Sequence, residues 1–129
     1  MTRKLEHGGV WLADLNPQRG TEPGKTRPVL IIQHQALLDA GHPSTLVIPL
    51  TTRLIEDAAP LRLRLSARER LERDSDLLID QIRAIDNQRL IKGPLTILGA
   101  EDMSRIYLAI LEVMGIQIDS QVTFSVHES

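Results

Sequence analysis

Two apolar segments, each with a polar residue at one end, carry side chains that suit chemistry at a phosphate. The first is Arg27-Pro28-Val29-Leu30-Ile31-Ile32, and the second, further along the chain, is Ile48-Pro49-Leu50-Thr51-Thr52. Arg27 opens the first segment, and Thr51 follows the apolar part of the second. If the two segments pair as strands, a permanent cation and a hydroxyl donor face the same space. That combination suits an anionic transition state, such as one at phosphorus.

Each of these residues also has a purely structural interpretation. Arg27 is then a strand-edge arginine that pairs with a carboxylate, and Thr51 ends a strand with its hydroxyl capping the next turn. Glu22, in the loop before Arg27, is then a solvated carboxylate. The residue types alone leave the catalytic and the structural interpretations open.

The composition bounds the classes of protein and partner. The 129 residues are 42% hydrophobic and 25% charged, as expected for one globular domain with a core. There are no cysteines, which excludes disulfides and thiolate metal sites. The formal net charge is −2, so the binding of an anionic partner must rest on local clusters. With one Trp, one Tyr and one Phe, a base-stacking platform is not expected.

The sequence gives no sign of a membrane segment or of a metal site. No apolar run reaches the ~18 residues that a membrane helix needs, and the first residues contain no apolar signal-peptide core. The four histidines form no recognised ligand pair with one another or with a carboxylate. We therefore expect a cytoplasmic protein with no metal, no cofactor and no membrane partner.

The hydrophobic patterns predict a mainly β fold. Strands are predicted over 8–15, 27–34, 45–50, 61–65, 77–85 and 94–98, with a short helix over 35–40 and a helix or loop over 66–74. A long helix is predicted over 101–114, with Met103, Ile106, Tyr107, Ile110, Leu111 and Met114 on its apolar face. Because there is no βαβ rhythm, these elements indicate a small barrel with one packed helix. We expect one domain over 1–115 and a tail over 116–129 that is an edge strand or disordered.

Two polar patterns qualify as candidate sites. Arg62-Leu63-Arg64, followed by further arginines, alternates apolar and basic residues and is a candidate anion-binding face. Carboxylates interleave with those arginines, so a charged, aggregation-resistant edge strand is the favoured interpretation. Asp80-Gln81-Ile82-Arg83 places three polar residues in a strand that is otherwise apolar, which requires hydrogen-bond partners or a ligand.

Four segments in series resemble the MazF/PemK toxins of bacterial toxin–antitoxin systems, over about residues 8–115. They are Val10-Trp11-Leu12-Ala13-Asp14-Leu15-Asn16-Pro17 with Gly20-Thr21-Glu22, then Arg27-Pro28-Val29-Leu30-Ile31-Ile32, then Ile48-Pro49-Leu50-Thr51-Thr52, and finally Glu72-Arg73-Asp74-Ser75 with Asp80-Gln81-Ile82-Arg83-Ala84-Ile85-Asp86 and Arg89-Leu90. The resemblance implies a partly open, SH3-like barrel of the CcdB/PemK type, with one long C-terminal helix, that forms a homodimer.

The resemblance also implies an activity. It implies a metal-independent endoribonuclease that cuts single-stranded RNA at a short sequence, leaves 2′,3′-cyclic phosphate and 5′-OH ends, and so inhibits translation and growth. Arg27 and Thr51 correspond to the family's catalytic pair, and Glu22 to its loop carboxylate. An arginine is a poor general base because its pKa lies above ~12. The proton acceptor therefore stays open between Glu22 and His34.

The partners follow from the same resemblance. The substrate is single-stranded RNA, with messenger RNA first and ribosomal or transfer RNA as further candidates. The expected RNA contacts lie in the loops that flank the catalytic pair and in the polar segment near residue 80; they are Arg19, Lys25, Thr52, Arg53, Asp80, Gln81 and Arg83. A cognate antitoxin with an acidic C-terminal segment is expected to cover the RNA groove.

Two other functions fit the same fold. The first is that of CcdB-like toxins, which are similar barrels that poison DNA gyrase. The second is that of a non-catalytic SH3-like binding module. The Arg27 and Thr51 segments favour the ribonuclease, because a gyrase poison has no need of them.

Overall fold

The computed structural model describes residues 3–17, 19–21 and 25–117. Within these ranges, seven strands form one antiparallel sheet, accompanied by a short and a long helix. The strands are β1 (Gly9–Asp14), β2 (Thr26–Ile31), β3 (Ser44–Thr51), β4 (Arg62–Leu65), β5 (Ser75–Leu78), β6 (Arg83–Asp86) and β7 (Leu90–Ile97), and the helices are α1 (Gln35–Asp39) and α2 (Ala100–Val113).

The sheet curls into a partly open barrel. Its strand order is β4-β5-β3-β2-β1-β7, and β6 also pairs with β3. The two ends of the sheet approach each other where the Arg70 N–H, just after β4, donates to the Leu95 carbonyl of β7 at 3.0 Å. The prediction of a mainly β, partly open barrel with one long C-terminal helix is confirmed.

Strand β3 is the centre of the sheet. One side pairs with β2, while the other side pairs first with β6 over residues 44–47 and then with β5 at Leu50 and Thr51. Pro49, which has no N–H to donate, lies where β3 passes from one of these partners to the other. The strand therefore holds three other strands of the chain in fixed positions beside it.

Because side chains alternate along the strands, apolar residues form a core cluster on each face of the sheet. One cluster packs against α2 and includes Leu30, Ile48, Leu50, Leu77 and Ile106, all fully buried. The second cluster lies on the opposite face and includes Trp11, Val29, Ile31, Val47 and Ile85. Burial on both faces explains the continuous apolar runs in β2 and β3.

The strand predicted over 77–85 is wrong. The chain forms β5, a 3₁₀ turn over Ile79–Gln81, and then β6. The turn carries the chain along β3, from its pairing at Leu50 and Thr51 back to its pairing at 44–47, and buries Ile79 beneath α2. A mostly apolar segment cannot distinguish two short strands joined by such a turn from one longer strand.

The last strand begins at Leu90, not 94, because it pairs with β1 along its length. Of the helix or loop expected over 66–74, the structure has the loop, with an isolated bridge between Arg68 and Leu71. The tail predicted over 116–129 lies outside the described residues from 118 onward, and the domain boundary at 115 stays a prediction.

Helix α2 buries a narrower stripe than its sequence pattern indicated. Met103, Ile106 and Ala109 are buried, whereas Tyr107 and Met114 are 40% and 64% exposed. The Tyr107 hydroxyl instead forms a hydrogen bond with the His7 ring, which ties the amino-terminal segment to the helix. In residues 3–17, 19–21 and 25–117, no helix is long and apolar enough to cross a membrane.

The Trp11 ring is packed between a cation and a glycine. The Arg3 guanidinium lies 5.6 Å from the ring centroid, and Gly93 of β7 lies against the ring itself. A Cβ atom added at Gly93 would lie 2.5 Å from Trp11 Cδ2. Because the indole is 4% exposed and enclosed by the second cluster, it has little room to move.

We predict that Gly93→Ala lowers the free energy of unfolding by about 1–3 kcal/mol, because the added methyl group overpacks the Trp11 site. Urea denaturation followed by Trp11 fluorescence measures the change. A Gly93→Ala variant as stable as the wild type would contradict this account of the packing. Gly99→Ala adds a Cβ atom with no neighbour within 4 Å at the N-cap of α2, and so shows the cost of a lost helix cap without overpacking.

Candidate active site

The strand register places Arg27 level with Thr51. Strands β2 and β3 pair Val29 with Pro49, Leu30 with Ile48 and Ile31 with Val47. Continuing this register by two residues places Arg27 opposite Thr51. The Ile32 N–H donates to the Leu46 carbonyl at 3.0 Å, so these two residues form a hydrogen-bonded pair. Hydrogen-bonded and non-hydrogen-bonded pairs alternate along the strands, and Arg27 and Thr51 therefore form a non-hydrogen-bonded pair. Side chains stand closest at such pairs, on the same face of the sheet.

The side chain of Arg27 reaches across to β3. Its guanidinium donates to the Leu50 carbonyl at 3.4 Å, next to Thr51, and the residue is partly buried. Burial lowers the pKa of Arg27 from its ordinary value, although an arginine remains charged at neutral pH. A partly desolvated guanidinium interacts more strongly with an incoming anion than one surrounded by water.

The hydroxyl of Thr51 is oriented by the turn that follows it. Thr51 Oγ1 accepts a hydrogen bond from the Arg53 N–H at 3.2 Å. A hydroxyl has one proton to donate and two lone pairs to accept with, so this contact leaves its proton available. The capping interpretation and the donor interpretation of Thr51 are therefore compatible.

The loop before Arg27 is closed at its base. Arg89 donates to the carbonyls of Asp14 at 3.0 Å and Asn16 at 2.6 Å, and Asn16 Oδ1 accepts from the Lys25 N–H at 2.7 Å. Arg19 and Lys25 are exposed on this loop. Glu22 lies outside the described residues, so its role stays a prediction.

The other predicted RNA contacts fall into two groups. Thr52 and Arg53 are exposed just beyond the end of β3, beside Thr51. Asp80 is exposed and Gln81 half-buried in the 3₁₀ turn, not in a strand as expected. Arg83 pairs with Val47, which lies on the same face of β3 as Thr51 because side chains alternate.

His34 is not close to Arg27 in the fold. It follows the far end of β2 and caps α1, where its Nδ1 accepts from the Ala36 N–H at 2.9 Å. The five-residue strand step from Arg27 to Ile32 alone spans about 16 Å. His34 is therefore too distant to take a proton at Arg27 and Thr51, and the suggestion that it is the base is wrong.

One buried residue beside Thr51 is absent from the predicted site. Asp76 of β5 pairs with Thr51 on one side and with Arg64 of β4 on the other. Its carboxylate forms ion pairs with Arg62 and Arg64, at 3.5 and 2.7 Å. These ion pairs explain the alternation of basic and apolar residues in β4, because its two arginines are bound to an internal carboxylate.

A groove of about 320 Å³ opens at the end of the barrel near these residues. Its floor is mainly apolar, and cations outnumber carboxylates at its rim. The lining consists of Leu12, Pro28, Leu71 and Leu95, the hydroxyl residues Thr52 and Ser75, the cations Arg70, Arg73 and Lys92, and Glu72. Pro28 and Thr52 directly follow Arg27 and Thr51 in the chain, so the groove opens at the same end of these strands but on the opposite face of the sheet.

The fold is shared with solved toxin structures. MazF from Deinococcus radiodurans superposes with a TM-score of 0.74 at 20% identity, covering 89% of this chain and 100% of that one. A mycobacterial endoribonuclease in complex with its cognate antitoxin superposes with a TM-score of 0.68 at 18% identity, covering 92% and 100%. At these identities the likeness concerns the fold.

Sequence comparison gives the family. The Endoribonuclease MazF of Staphylococcus saprophyticus is 35% identical over 116 residues, which are 87% of this chain and 92% of that protein. The model of the PemK-like, MazF-like toxins of type II toxin–antitoxin systems matches residues 6–114. The chain therefore belongs to the PemK-like, MazF-like family of type II toxins.

Proposed function

We propose that this chain is the toxin of a type II toxin–antitoxin system and an endoribonuclease that cleaves single-stranded RNA. The observation that carries the proposal is the register that sets Arg27 level with Thr51 at a non-hydrogen-bonded pair. Family membership supports the same activity, since a relative of 35% identity is named an endoribonuclease. A gyrase poison or a passive binding module gives no reason for this pair of side chains.

The proposed reaction uses the RNA's own 2′-hydroxyl as nucleophile. Its oxygen forms a bond to the adjacent phosphorus while the bond from phosphorus to the 5′ oxygen breaks. The products are a 2′,3′-cyclic phosphate and a 5′-hydroxyl, with one proton removed from the nucleophile and one given to the leaving oxygen. Negative charge accumulates on the non-bridging oxygens between these two events.

Arg27 and Thr51 divide the stabilisation of that charge. The Arg27 guanidinium neutralises it through charge-assisted hydrogen bonds and is close enough to the same phosphate to donate a proton. Thr51 donates its hydroxyl proton to a non-bridging oxygen, since the Arg53 N–H occupies only one lone pair of the hydroxyl and leaves its proton available. With His34 removed from consideration, Glu22 is the proposed proton acceptor, on the grounds of its position in the loop before Arg27.

The RNA strand is proposed to run over the face that carries Arg27, Thr51 and Arg83. Arg19 and Lys25 extend this surface from one loop, and Thr52 and Arg53 from the other. Asp80 and Gln81 supply acceptors and donors for base edges, which phosphate contacts alone do not distinguish. The homodimer implied by the resemblance stays a prediction.

We predict that Thr51→Val lowers the rate of RNA cleavage about 10²–10³-fold, because it removes one donor to the developing charge. Thr51→Ser, which keeps the hydroxyl, retains most of the activity, and Arg27→Ala loses at least as much as Thr51→Val. Initial rates on a labelled single-stranded RNA in EDTA measure the effect, with 5′-OH ends identified by end-labelling.

Thr26→Val is the matched control for that experiment. Thr26 is an exposed threonine of β2 next to Arg27, but its side chain points to the opposite face. Its variant should cleave RNA at the wild-type rate. Wild-type rates in both Thr51→Val and Arg27→Ala would refute the proposed function.

We predict steep inhibition by salt, because a chain of net charge −2 must bind RNA through local phosphate contacts. Fluorescence anisotropy with a 2′-deoxy-substituted oligonucleotide measures the dissociation constant between low and moderate salt. Arg53→Gln and Arg83→Gln should each reduce the log–log slope by about 0.7. Arg105→Gln, on α2, should leave the slope unchanged, and affinity independent of salt would exclude an electrostatic RNA surface.

We also propose that the groove at the end of the barrel receives the acidic segment of a cognate antitoxin. The apolar floor suits the aliphatic side chains of an extended peptide, and Arg70, Arg73 and Lys92 suit its carboxylates. Structures of related fold include a MazE–MazF complex from Deinococcus radiodurans, which supports an antitoxin as partner. A segment seated there would occupy the same end of the barrel as Arg27 and Thr51, on the opposite face of the sheet.

We predict that Lys92→Glu weakens binding of the antitoxin's acidic C-terminal peptide about tenfold, because a rim cation becomes a like charge. Isothermal titration calorimetry measures the dissociation constant. Lys4→Glu makes the same change in net charge at an exposed residue away from the groove and should have no effect. Equal losses in the two variants would mean that net charge, not the groove, decides the affinity.

A further inference from the structure

Asp76 is a buried carboxylate that the proposed reaction does not use. Only 1% of the residue is exposed, although aspartate seldom occurs in a core without a partner. It stands between Thr51 of β3 and Arg64 of β4 in the strand register. Together with Arg27 opposite Thr51, these residues form one polar row across four neighbouring strands.

Three donors converge on this carboxylate. Oδ1 accepts from Arg64 Nε at 2.7 Å, and Oδ2 accepts from the Ile55 N–H at 2.9 Å and from Arg62 at 3.5 Å. Burial acts to raise the pKa of Asp76, but the bonds from Arg64 and Ile55 and the charge of Arg64 outweigh it, so the pKa lies below its ordinary value. The group is therefore ionised at neutral pH.

The lowered pKa of Asp76 determines how its contribution to stability depends on pH. The stability that the ionised carboxylate contributes is present above its unfolded-state pKa, and is lost as the pH falls through the lower folded-state pKa. Experiments near pH 7 therefore examine the intact network.

The two arginines held by Asp76 also hold the loop after Thr51. Arg62 donates to the Arg53 carbonyl at 3.0 Å, while Arg64 donates to Glu56 at 3.2 Å and to the Ile55 carbonyl at 3.5 Å. Arg53 in turn donates its N–H to Thr51 Oγ1 at 3.2 Å. A continuous set of hydrogen bonds thus runs from the buried carboxylate to the hydroxyl at the candidate site.

We propose that Asp76 is a positioning residue for Thr51. Through Arg62 and the Ile55 N–H it fixes the turn over 51–55, so that the Arg53 N–H occupies one lone pair of the Thr51 hydroxyl. The hydroxyl proton is then directed away from the protein and toward a phosphate oxygen. This inference rests on the proposed function, in which Thr51 donates to the scissile phosphate.

The test compares Asp76→Asn with Asp102→Asn. Asp102 lies in the first turn of α2 and forms a 2.6 Å ion pair with Arg68, with no described contact to residues 51–57. Asp76→Asn should lower kcat for RNA cleavage about tenfold or more, because small displacements of a reacting group are costly. KM should change by less than about threefold, and Asp102→Asn should leave kcat within about twofold.

A double-mutant comparison separates positioning from general support of the fold. If Asp76 acts through Thr51, Asp76→Asn should lower kcat in the wild type but not in the Thr51→Ala background. Single-turnover reactions with excess enzyme measure the slow variants, and circular dichroism confirms that each is folded at the assay temperature. If Asp76 only supports the fold, the two losses multiply, and that result would overturn the inference.

Arg62→Met is a second variant in case Asp76→Asn does not fold. It removes the donor to the Arg53 carbonyl but keeps the 2.7 Å bond between Arg64 and Asp76. Its loss of kcat should also vanish in the Thr51→Ala background, and unchanged kcat in Arg62→Met would overturn the inference. Wild-type kcat in Thr51→Ala is a separate outcome, since it refutes the proposed function and not the role of Asp76 in holding the loop.

Discussion

The register of β3 is the constraint on which the candidate site depends. This strand pairs with β2 on one side and with β6 and β5 on the other, and each pairing decides which side chains share a face. A slip of one residue would send Thr51 to the α2 face and Leu50 to solvent. Such a slip is prevented because Ile48 and Leu50 are fully buried in one core cluster and Val47 in the other. The hydrophobic cores therefore fix the geometry of a polar site that contributes little to them.

Much of the site was predictable from the sequence because it consists of strand ends. The apolar runs that end at Arg27 and Thr51 indicate buried strands, and the resemblance supplies their pairing. Asp76 was not predictable in the same way, since its partners, Arg62 and Arg64, become neighbours only through the pairing of β4 with β5. The alternation Arg62-Leu63-Arg64 was the available signal, because two half-buried cations on one face of a strand require an acceptor.

The errors in the predicted elements have a similar origin. The run over 77–85 is mostly apolar because both short strands and the turn between them contact the core, and hydrophobicity alone does not record a change of direction. Helix α2 was placed correctly, yet its buried stripe is narrower than the pattern because Tyr107 bonds to His7 at the surface. Long-range partners, which no local pattern contains, decide both cases.

A buried carboxylate beside a site for RNA would repel the substrate if it stood alone. Asp76 is instead paired with Arg62 and Arg64, so two guanidinium groups compensate its negative charge. At the effective dielectric of a protein surface, charges at such short distances compensate one another strongly. The same carboxylate provides what an apolar residue at this position would not, since it binds the N–H of Ile55 and orders the arginines that hold the loop. Electrostatic compensation and loop rigidity are therefore consequences of one buried group, and both act beside the hydroxyl of Thr51.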